Sequence, residues 1–404
     1  MKKSLIAIAA LAAVSAASAQ SSVTLYGQVD IGYGTQSITS RDGTVFNKTS
    51  GIMDGANAGS RIGFRGTEDL GGGLKANFVI ESGISPTSGN VLSQRAASGG
   101  PQQVGLAGGA FSTNTNRQSY LGLSSASMGT LNIGYTYNNA YELSTLSGYM
   151  VGSEIVGTGG SHLAGQGNVG SGRSNGITYI SPNFSGFTVR AQYGAGGTAI
   201  ESFSSNANGG SGLTEDKARR MGLMGQYANG PLSAALAYTT IKLSQIAGGA
   251  VNTLPGATTN PFGVITPAGA APILGQGRTG SLTQLGASYD FGVAKLAGTY
   301  NTGKNGGTAT SLANTSVRAY QIGVSAPFGA FVPYLLIGKE TNKNDVTNVN
   351  SRDIRQTQLG VRYNLSKRTM AYAMYGNETD NAVVALNGAA YKNTRTVFGI
   401  WHGF

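Results

Sequence analysis

The sequence predicts an all-β protein, a transmembrane antiparallel β-barrel of sixteen strands. Three observations carry that prediction. Segments of about ten residues alternate polar with apolar side chains, the period of a strand with two unlike faces. The connections alternate short and long, as in an up-and-down barrel whose two rims do different work. Beyond the N-terminal segment, no run of eighteen apolar residues offers a transmembrane helix.

The N-terminal segment, MKKSLIAIAALAAVSAASAQ, is read apart from the fold. Lys2 and Lys3 form a positive start, Leu5 to Val14 a short apolar core, and Ala17-Ser18-Ala19 a small-residue cleavage signal. The expected organisation is a signal peptide over 1–19 and one barrel domain over 20–404. Removing the two lysines leaves 26 basic against 17 acidic residues, a net charge of about +9.

Strands are expected at 22–37, 59–68, 74–84, 116–125, 129–138, 173–181, 186–195 and 218–228. The second half adds 231–243, 280–290, 292–302, 315–326, 330–340, 354–364, 368–378 and 392–404. Gly-, Pro- and Asn-rich turns separate many of them, among them Asp69–Gly73, Pro182–Gly186, Asn229–Pro231, Phe291-Gly292 and Phe328-Gly329, with Ser366-Lys367 in the same role. Long connections fall at 38–58, 85–115, 139–172, 196–217, 244–279, 303–314, 341–353 and 379–391. No stretch shows helical periodicity.

The stretch RIGFRGTEDLGGGLKANFVIESG assigns the faces. Arg61 and Arg65 share one parity and Ile62 and Phe64 the other; after the glycine turn Lys75, Asn77 and Glu81 oppose Leu74, Ala76, Phe78 and Ile80. A sixteen-stranded barrel is too wide for side chains to fill, so its interior holds water. The polar row, with Arg61, Arg65, Lys75 and Glu81, is then expected inside and the apolar row against lipid. An arginine in mid-membrane on the lipid face costs roughly 2–4 kcal/mol. Arg117 shares parity with Ser119 and also with Leu121 and Leu123, so alternation leaves its direction open. Arg173 stands at a strand start, likewise open. The last strand, VFGIWHGF, ends on Phe404 and is expected to close the barrel against VTLYGQVDIGYG.

Composition narrows the chemistry. The absence of cysteine excludes disulfides, thiolate catalysis and cysteine-ligated metals. The basic residues are scattered rather than blocked, which argues against nucleic acid as a partner. His162 and His402 are far apart in sequence, and no G-x-S-x-G, P-loop or H-E-x-x-H motif is present. A hydrolase site is therefore a weak competitor, and no cofactor is expected. Glu68-Asp69 and Asp42 are read as turn-stabilising acids before they are read as calcium ligands. No metal site is expected.

The pieces SSVTLYGQVDIGYG, SRIGFRGTEDLGGGLKANF, NRQSYLGLSS, SPNFSGF, YDFGVAKL, LGVRYNLSKRT and the terminal HGF resemble the trimeric general-diffusion porins of Gram-negative outer membranes. Among these the chain is most similar to the basic, anion-preferring porins of beta-proteobacteria. The resemblance spans almost the whole chain after the leader. It implies a homotrimer in the outer membrane, in contact with lipid and lipopolysaccharide. It also implies an inward-folded third loop that constricts a water-filled channel for small hydrophilic solutes and inorganic anions.

By motif position the resemblance places Arg61, Arg117 and Arg173 on the constriction wall and Tyr141, Glu142 and Glu154 on the inward loop, facing them. Two departures stand out. The family's Pro-Glu-Phe-Gly loop tip is absent, and Tyr135 replaces the arginine that usually follows the glycine at 134, implying weaker anion attraction. The competing readings are a substrate-selective channel of the same fold, which would carry an aromatic track in the lumen, and a non-conducting surface adhesin. Most of the 19 tyrosines are expected in interfacial girdles.

Overall fold

The computed structural model describes residues 22–40, 43–87, 117–146, 173–195, 216–245, 278–305, 315–381 and 391–404. The strands are β1 (Ser22–Ser40), β2 (Val45–Asp54), β3 (Arg61–Gly71), β4 (Leu74–Gly83), β5 (Ser119–Ser125) and β6 (Gly129–Tyr137). A short helix, α1 (Asn139–Leu146), follows. Then come β7 (Arg173–Ile180), β8 (Phe187–Ala195), β9 (Asp216–Asn229), β10 (Leu232–Gln245), β11 (Arg278–Asp290) and β12 (Lys295–Asn305). The last are β13 (Thr315–Ser325), β14 (Phe331–Asn344), β15 (Asn350–Asn364), β16 (Thr369–Asp380) and β17 (Tyr391–Gly403).

From β3 onward each strand pairs antiparallel with its successor, and β17 pairs with β1 from Gln28↔Gly403 to Ser40↔Tyr391. Phe404 completes the seam by exchanging two backbone hydrogen bonds of 3.1 Å with Gly27. The barrel is closed, so no sheet edge is left for hydrocarbon to strand.

Seventeen segments fill sixteen barrel positions. The upper half of β1 pairs with β2 and its lower half with β3, so β2 and β3 share one position. This corrects the long connection expected at 38–58: β1 runs on to Ser40 and turns directly into β2. The interruption at Gly55–Ser60 folds into the lumen instead. Asp30 of β1, fully buried, accepts the backbone N–H of Asn57 (2.8 Å) and of Ala58 (2.5 Å) and the hydroxyl of Tyr372 (2.5 Å). The expected loop at 341–353 also shrinks, because β14 and β15 extend to leave only residues 345–349.

The first hairpin shows how local chemistry sets the turns. Gly72 and Gly73 have φ of +60° and +79°, the left-handed values that a two-residue hairpin loop requires. Asp69 Oδ1 accepts the Gly71 N–H at 2.9 Å, which makes this acid a turn stabiliser.

The outer surface is the apolar one, as alternation predicts. Phe64 is 47 % exposed and Ile80 46 %, beside Leu25, Ile133, Leu236, Leu285, Ile322, Leu335 and Phe398 on other strands. The inner surface is not purely polar, and that expectation is corrected. One apolar inner patch, of Met224, Ala235, Ala237, Ile241 and Leu282, lies under α1. A second, of Ala297, Tyr334, Leu336, Tyr372, Met374 and Val397, receives Ala56 of the inward segment together with Met53. Each apolar patch thus has an inward-folded piece of chain upon it, and water is excluded from both.

Candidate functional site

Helix α1 is the centre of the site, and sequence periodicity gave no sign of it. At eight residues it is too short to hold by propensity. Asn138, fully buried, caps it: its Oδ1 accepts the Tyr141 N–H at 2.9 Å and its carbonyl the Glu142 N–H at 3.1 Å. Ala140 and Leu143, three residues apart on one face, press onto the inner patch of β9–β11. Burying a leucine contributes roughly 1.5–3 kcal/mol, so packing rather than capping holds the helix.

Tyr141 and Glu142 are presented to the opposite sector, where the arginines stand. Tyr141 stacks on Tyr137 with ring centroids 4.2 Å apart, and the Arg173 guanidinium lies 5.0 Å from the Tyr137 ring and 5.8 Å from the Tyr141 ring. Such cation–π contacts contribute about 0.5–2 kcal/mol each. Burial pushes the Tyr141 phenol up to about 12, so it is neutral at physiological pH. Burial also raises the Glu142 carboxyl, against the opposing pull of Arg190.

Arg190 of β8 is a residue that the sequence reading passed over. Its Nη1 lies 3.4 Å from Glu142 Oε1 and its Nη2 donates to the Tyr137 carbonyl at 2.6 Å. Arg220 of β9 is another; its Nη1 donates to the Arg173 carbonyl at 3.3 Å. Inward parity on β8 and β9 could have found both, since Arg190 alternates with Val189 and Ala191, and Arg220 with Met221.

Glu81 of β4 is the second hub. It accepts from Arg117 Nε, from the Tyr26 hydroxyl at 3.1 Å and from the Tyr137 hydroxyl at 3.3 Å, with Arg61 Nε at 3.9 Å. Gly63 sits opposite Glu81, and a Cβ there would meet the Tyr26 ring at 2.6 Å; glycine is what lets Tyr26 lean over the carboxylate. Arg61 is further held by Gln28 Oε1 at 2.9 Å. Arg117 donates from Nη2 to the Tyr137 hydroxyl at 2.7 Å.

Arg117 also settles the parity question. Leu121 and Leu123 are exposed on the outer face, while Tyr120 and Gly122 face in. β5 begins only at Ser119, and Arg117 precedes it in a bend, so strand alternation does not extend to it. Its side chain turns inward to Glu81, away from the side that the leucines occupy.

Among the described residues the wall arginines and the loop acid pair as follows. The acid beside Arg61 and Arg117 is Glu81 of the wall, and the loop acid Glu142 faces Arg190. Arg65 faces inward with its guanidinium 5.1 Å from the Tyr26 ring. Lys75 faces inward near the short-turn rim, across from Asp69. Glu154, His162 and residues 1–19 lie outside the described residues.

A closed barrel with an arginine-rich inner wall and a helix folded against its lumen narrows the possibilities to channels. The Gram-negative porin family model matches residues 7–382. The chain belongs to the Gram-negative porin family.

Relatives extend over its full length. An outer membrane porin protein of Bordetella pertussis is 32 % identical, with 100 % of both chains covered. Outer membrane porin protein 32 of Delftia acidovorans is 33 % identical over 93 % of this porin and 88 % of its own length. Among solved structures, the anion-selective porin from Comamonas acidovorans superposes with a TM-score of 0.64 at 25 % identity, covering 95 % of this porin and 100 % of that chain. OmpT of Vibrio cholerae in its trimer form shares the fold, with a TM-score of 0.60 at 16 % identity over 95 % of this porin and 99 % of that chain. This porin is an outer-membrane β-barrel that forms a passive diffusion channel.

Proposed function

We propose that the arginine-rich sector between β3 and β9, with α1 opposite, is the constriction of an anion-preferring channel, and that the porin acts as a homotrimer without chemistry or cofactor. The observation that carries this is a charge imbalance. Arg61, Arg117, Arg173, Arg190 and Arg220 converge on a sector whose described carboxylates are Glu81 and Glu142. Fixed guanidinium groups in a narrow water-filled passage raise the local concentration of anions. With a Debye length of about 8 Å at physiological salt, only charges this close to the passage act strongly on it. The anion-selective structural relative and the trimeric one support the same reading.

The substrate-selective alternative needs free aromatic faces along the lumen. Tyr137 and Tyr141 spend theirs on each other and on Arg173, Tyr26 lies under Arg65, and Tyr334 and Tyr372 belong to the packed patch beneath the inward segment. In this proposal 1–19 is the export leader, 20–404 is the barrel, and the long connections lie on the cell's exterior.

The test is a reversal-potential measurement on the purified porin in planar bilayers across a salt gradient. Anion preference that weakens at high salt is expected. Replacing Arg61, Arg117 and Arg173 together by glutamine should move the preference toward cations; an unchanged potential would refute the wall assignment.

A further inference from the structure

Two units of the inner wall share one pattern. Tyr26 of β1 stands directly opposite Gly63 of β3, and Tyr334 of β14 directly opposite Gly360 of β15. A Cβ at Gly63 would meet the Tyr26 ring at 2.6 Å, and one at Gly360 the Tyr334 hydroxyl at 2.5 Å, so each tyrosine lies across its glycine. Two residues on, toward the short-turn rim, each glycine is followed by an arginine of the same inward parity, in G-F-R and in G-V-R. The Arg65 guanidinium lies 5.1 Å from the Tyr26 ring, and that of Arg362 lies 5.8 Å from the Tyr334 ring.

These arginines differ from those of the constriction in access and in charge balance. Arg117, Arg190 and Arg220 are buried, whereas Arg65 is exposed and Arg362 half-buried. Arg61 and Arg117 share Glu81, and Arg190 has Glu142. Arg65 and Arg362 have no ion pair and no hydrogen bond among the described residues, and Arg362 Nε is buried without an acceptor. Tyr26 stands between Arg65 and Glu81, with its hydroxyl on the carboxylate and its ring under the guanidinium. Nearer the rim, Asp69 and Asp290 accept the turn N–H groups of Gly71 and Gly292 at 2.9 and 2.8 Å. Each of these acids faces a lysine across the strands, Lys75 and Lys295. The rim lysines thus have acids beside them, and the two stacked guanidinium charges are unanswered.

Spacing separates them from the constriction and from each other. Arg65 follows Arg61 by four residues on β3, about 13 Å along the strand at about 3.3 Å per residue. That exceeds the Debye length of about 8 Å at physiological salt, so Arg65 acts on a different stretch of the passage. Arg362 stands two residues from the end of β15, nearer still to the rim. From β3 the wall reaches β15 through β1, β17 and β16, about 19 Å at about 4.8 Å per strand step. One small anion cannot span that distance, so the two units are separate stations.

We propose that Arg65 and Arg362 are two anion-binding stations on the short-turn side of the constriction, and that their ligands are small oxyanions bearing carboxylate or phosphate groups. Stacking on a tyrosine holds each guanidinium in place without spending an acceptor on it. The N–H fork that remains matches two oxygens of one carboxylate or phosphate. A halide ion has a single centre and gains nothing from the fork. The stations therefore discriminate among anions, which a field of fixed charge does not. The inference rests on the passage of anions described under Proposed function, but none of the constriction arginines takes part in it.

The test is the current noise of the purified full-length porin in planar bilayers, in fixed potassium chloride, with citrate added as probe. Citrate should add noise that saturates, and its half-saturating concentration is the apparent dissociation constant. Arg65→Gln/Arg362→Gln should raise that constant about tenfold, through the loss of charge-assisted hydrogen bonds. Arg65→Lys/Arg362→Lys keeps both charges and loses the fork; it should lie between, and it decides the matter if the glutamine variant does not fold. Lys75→Gln/Lys295→Gln should bind citrate as the parent does. Parental citrate binding in either arginine variant overturns the proposal. So does an equal loss in the Lys75/Lys295 variant, which would make the region a diffuse positive field. The reversal potential in potassium chloride tests the constriction separately. Arg61→Gln/Arg117→Gln/Arg173→Gln should move that potential and leave the citrate constant where it was; loss of citrate binding in this variant alone would place the site at the constriction and overturn the stations.

Discussion

Arg190 Nη1 lies 3.4 Å from Glu142 Oε1, and this contact joins a barrel strand to the helix folded inside it. The same arginine donates to the Tyr137 carbonyl at the foot of the helix. It therefore fixes both the start of α1 and its acidic residue. Charge opposite charge across the lumen is here a means of placing a segment as well as of attracting solutes.

The apolar face of α1 provides the first prediction. Leu143→Ala removes the side chain that sits against Met224, Ala235 and Ala237. A buried leucine truncated in this way costs about 2–5 kcal/mol, comparable to everything that docks an eight-residue helix. The barrel itself should survive, because its hydrogen-bonded wall does not involve Leu143. Single-channel recordings should show a larger and noisier conductance. A conductance identical to the parent's would mean that the helix does not restrict the channel.

Glu81 makes the second prediction, in which stability and selectivity move in opposite directions. Glu81→Gln keeps the shape but leaves Arg117 and Arg61 without their carboxylate. Removing one member of a buried ion pair costs about 3–5 kcal/mol, less where water can reach the partner that remains. The variant should melt lower, and its reversal potential should shift further toward anions. A loss of stability with no change in selectivity would make Glu81 structural only.

How much of this was legible in the sequence depends on what each face touches. β3 and β4 read cleanly because their inner row meets water and their outer row meets lipid, so Arg61 and Phe64 declare opposite sides. β10 and β14 read poorly: LSAALAYTTI and YLLIGK are apolar on both faces, because chain folded into the lumen covers the inner one. Alternation records polarity, and polarity cannot tell lipid from a packed segment. α1 was missed for a related reason. Its eight residues include two buried apolar side chains, too few to set a period against the background. Alternation left Arg117 open because it stands two residues before its strand, where parity has no meaning. Residues 55–58 of the inward segment were read as the end of the loop at 38–58 and residues 59 and 60 as the start of the next strand, since glycine-rich sequence looks alike whether it points in or out.

That segment yields the third prediction. Asp30 holds it with two backbone N–H groups and the Tyr372 hydroxyl. Asp30→Ala strands all three donors, each worth about 0.5–1.5 kcal/mol net and more to an ionised acceptor. Amide hydrogen exchange at Asn57 and Ala58 should accelerate markedly, while exchange at Leu335 and Leu359, within the β14–β15 ladder, stays slow. Asp30→Asn, which keeps one carbonyl oxygen for the two amides, should lie between parent and alanine. Uniform acceleration over the whole barrel would show that Asp30 supports the sheet and not this segment.

The pH dependence of selectivity follows from Glu142. Burial raises its carboxyl from the ordinary value, although Arg190 pulls it down. The folded state thus holds this proton more tightly than the unfolded chain does. The group's contribution to stability is therefore fully present below its unfolded pKa and is lost as pH rises through the folded one. Acidification through that window protonates Glu142 without undocking the helix, since Leu143 and the Asn138 cap do not titrate. Protonation frees Arg190 from its carboxylate and adds one positive charge to the sector. Reversal potentials taken from neutral pH downward should shift toward anions, and the part of that shift carried by Glu142 should come at a higher pH than for an unshifted glutamate. Glu142→Gln should remove that part of the shift and start from a more anion-preferring potential at neutral pH. A pH profile unchanged in Glu142→Gln would assign the shift to Glu81 or another lumenal acid, and would remove Glu142 from control of the passage.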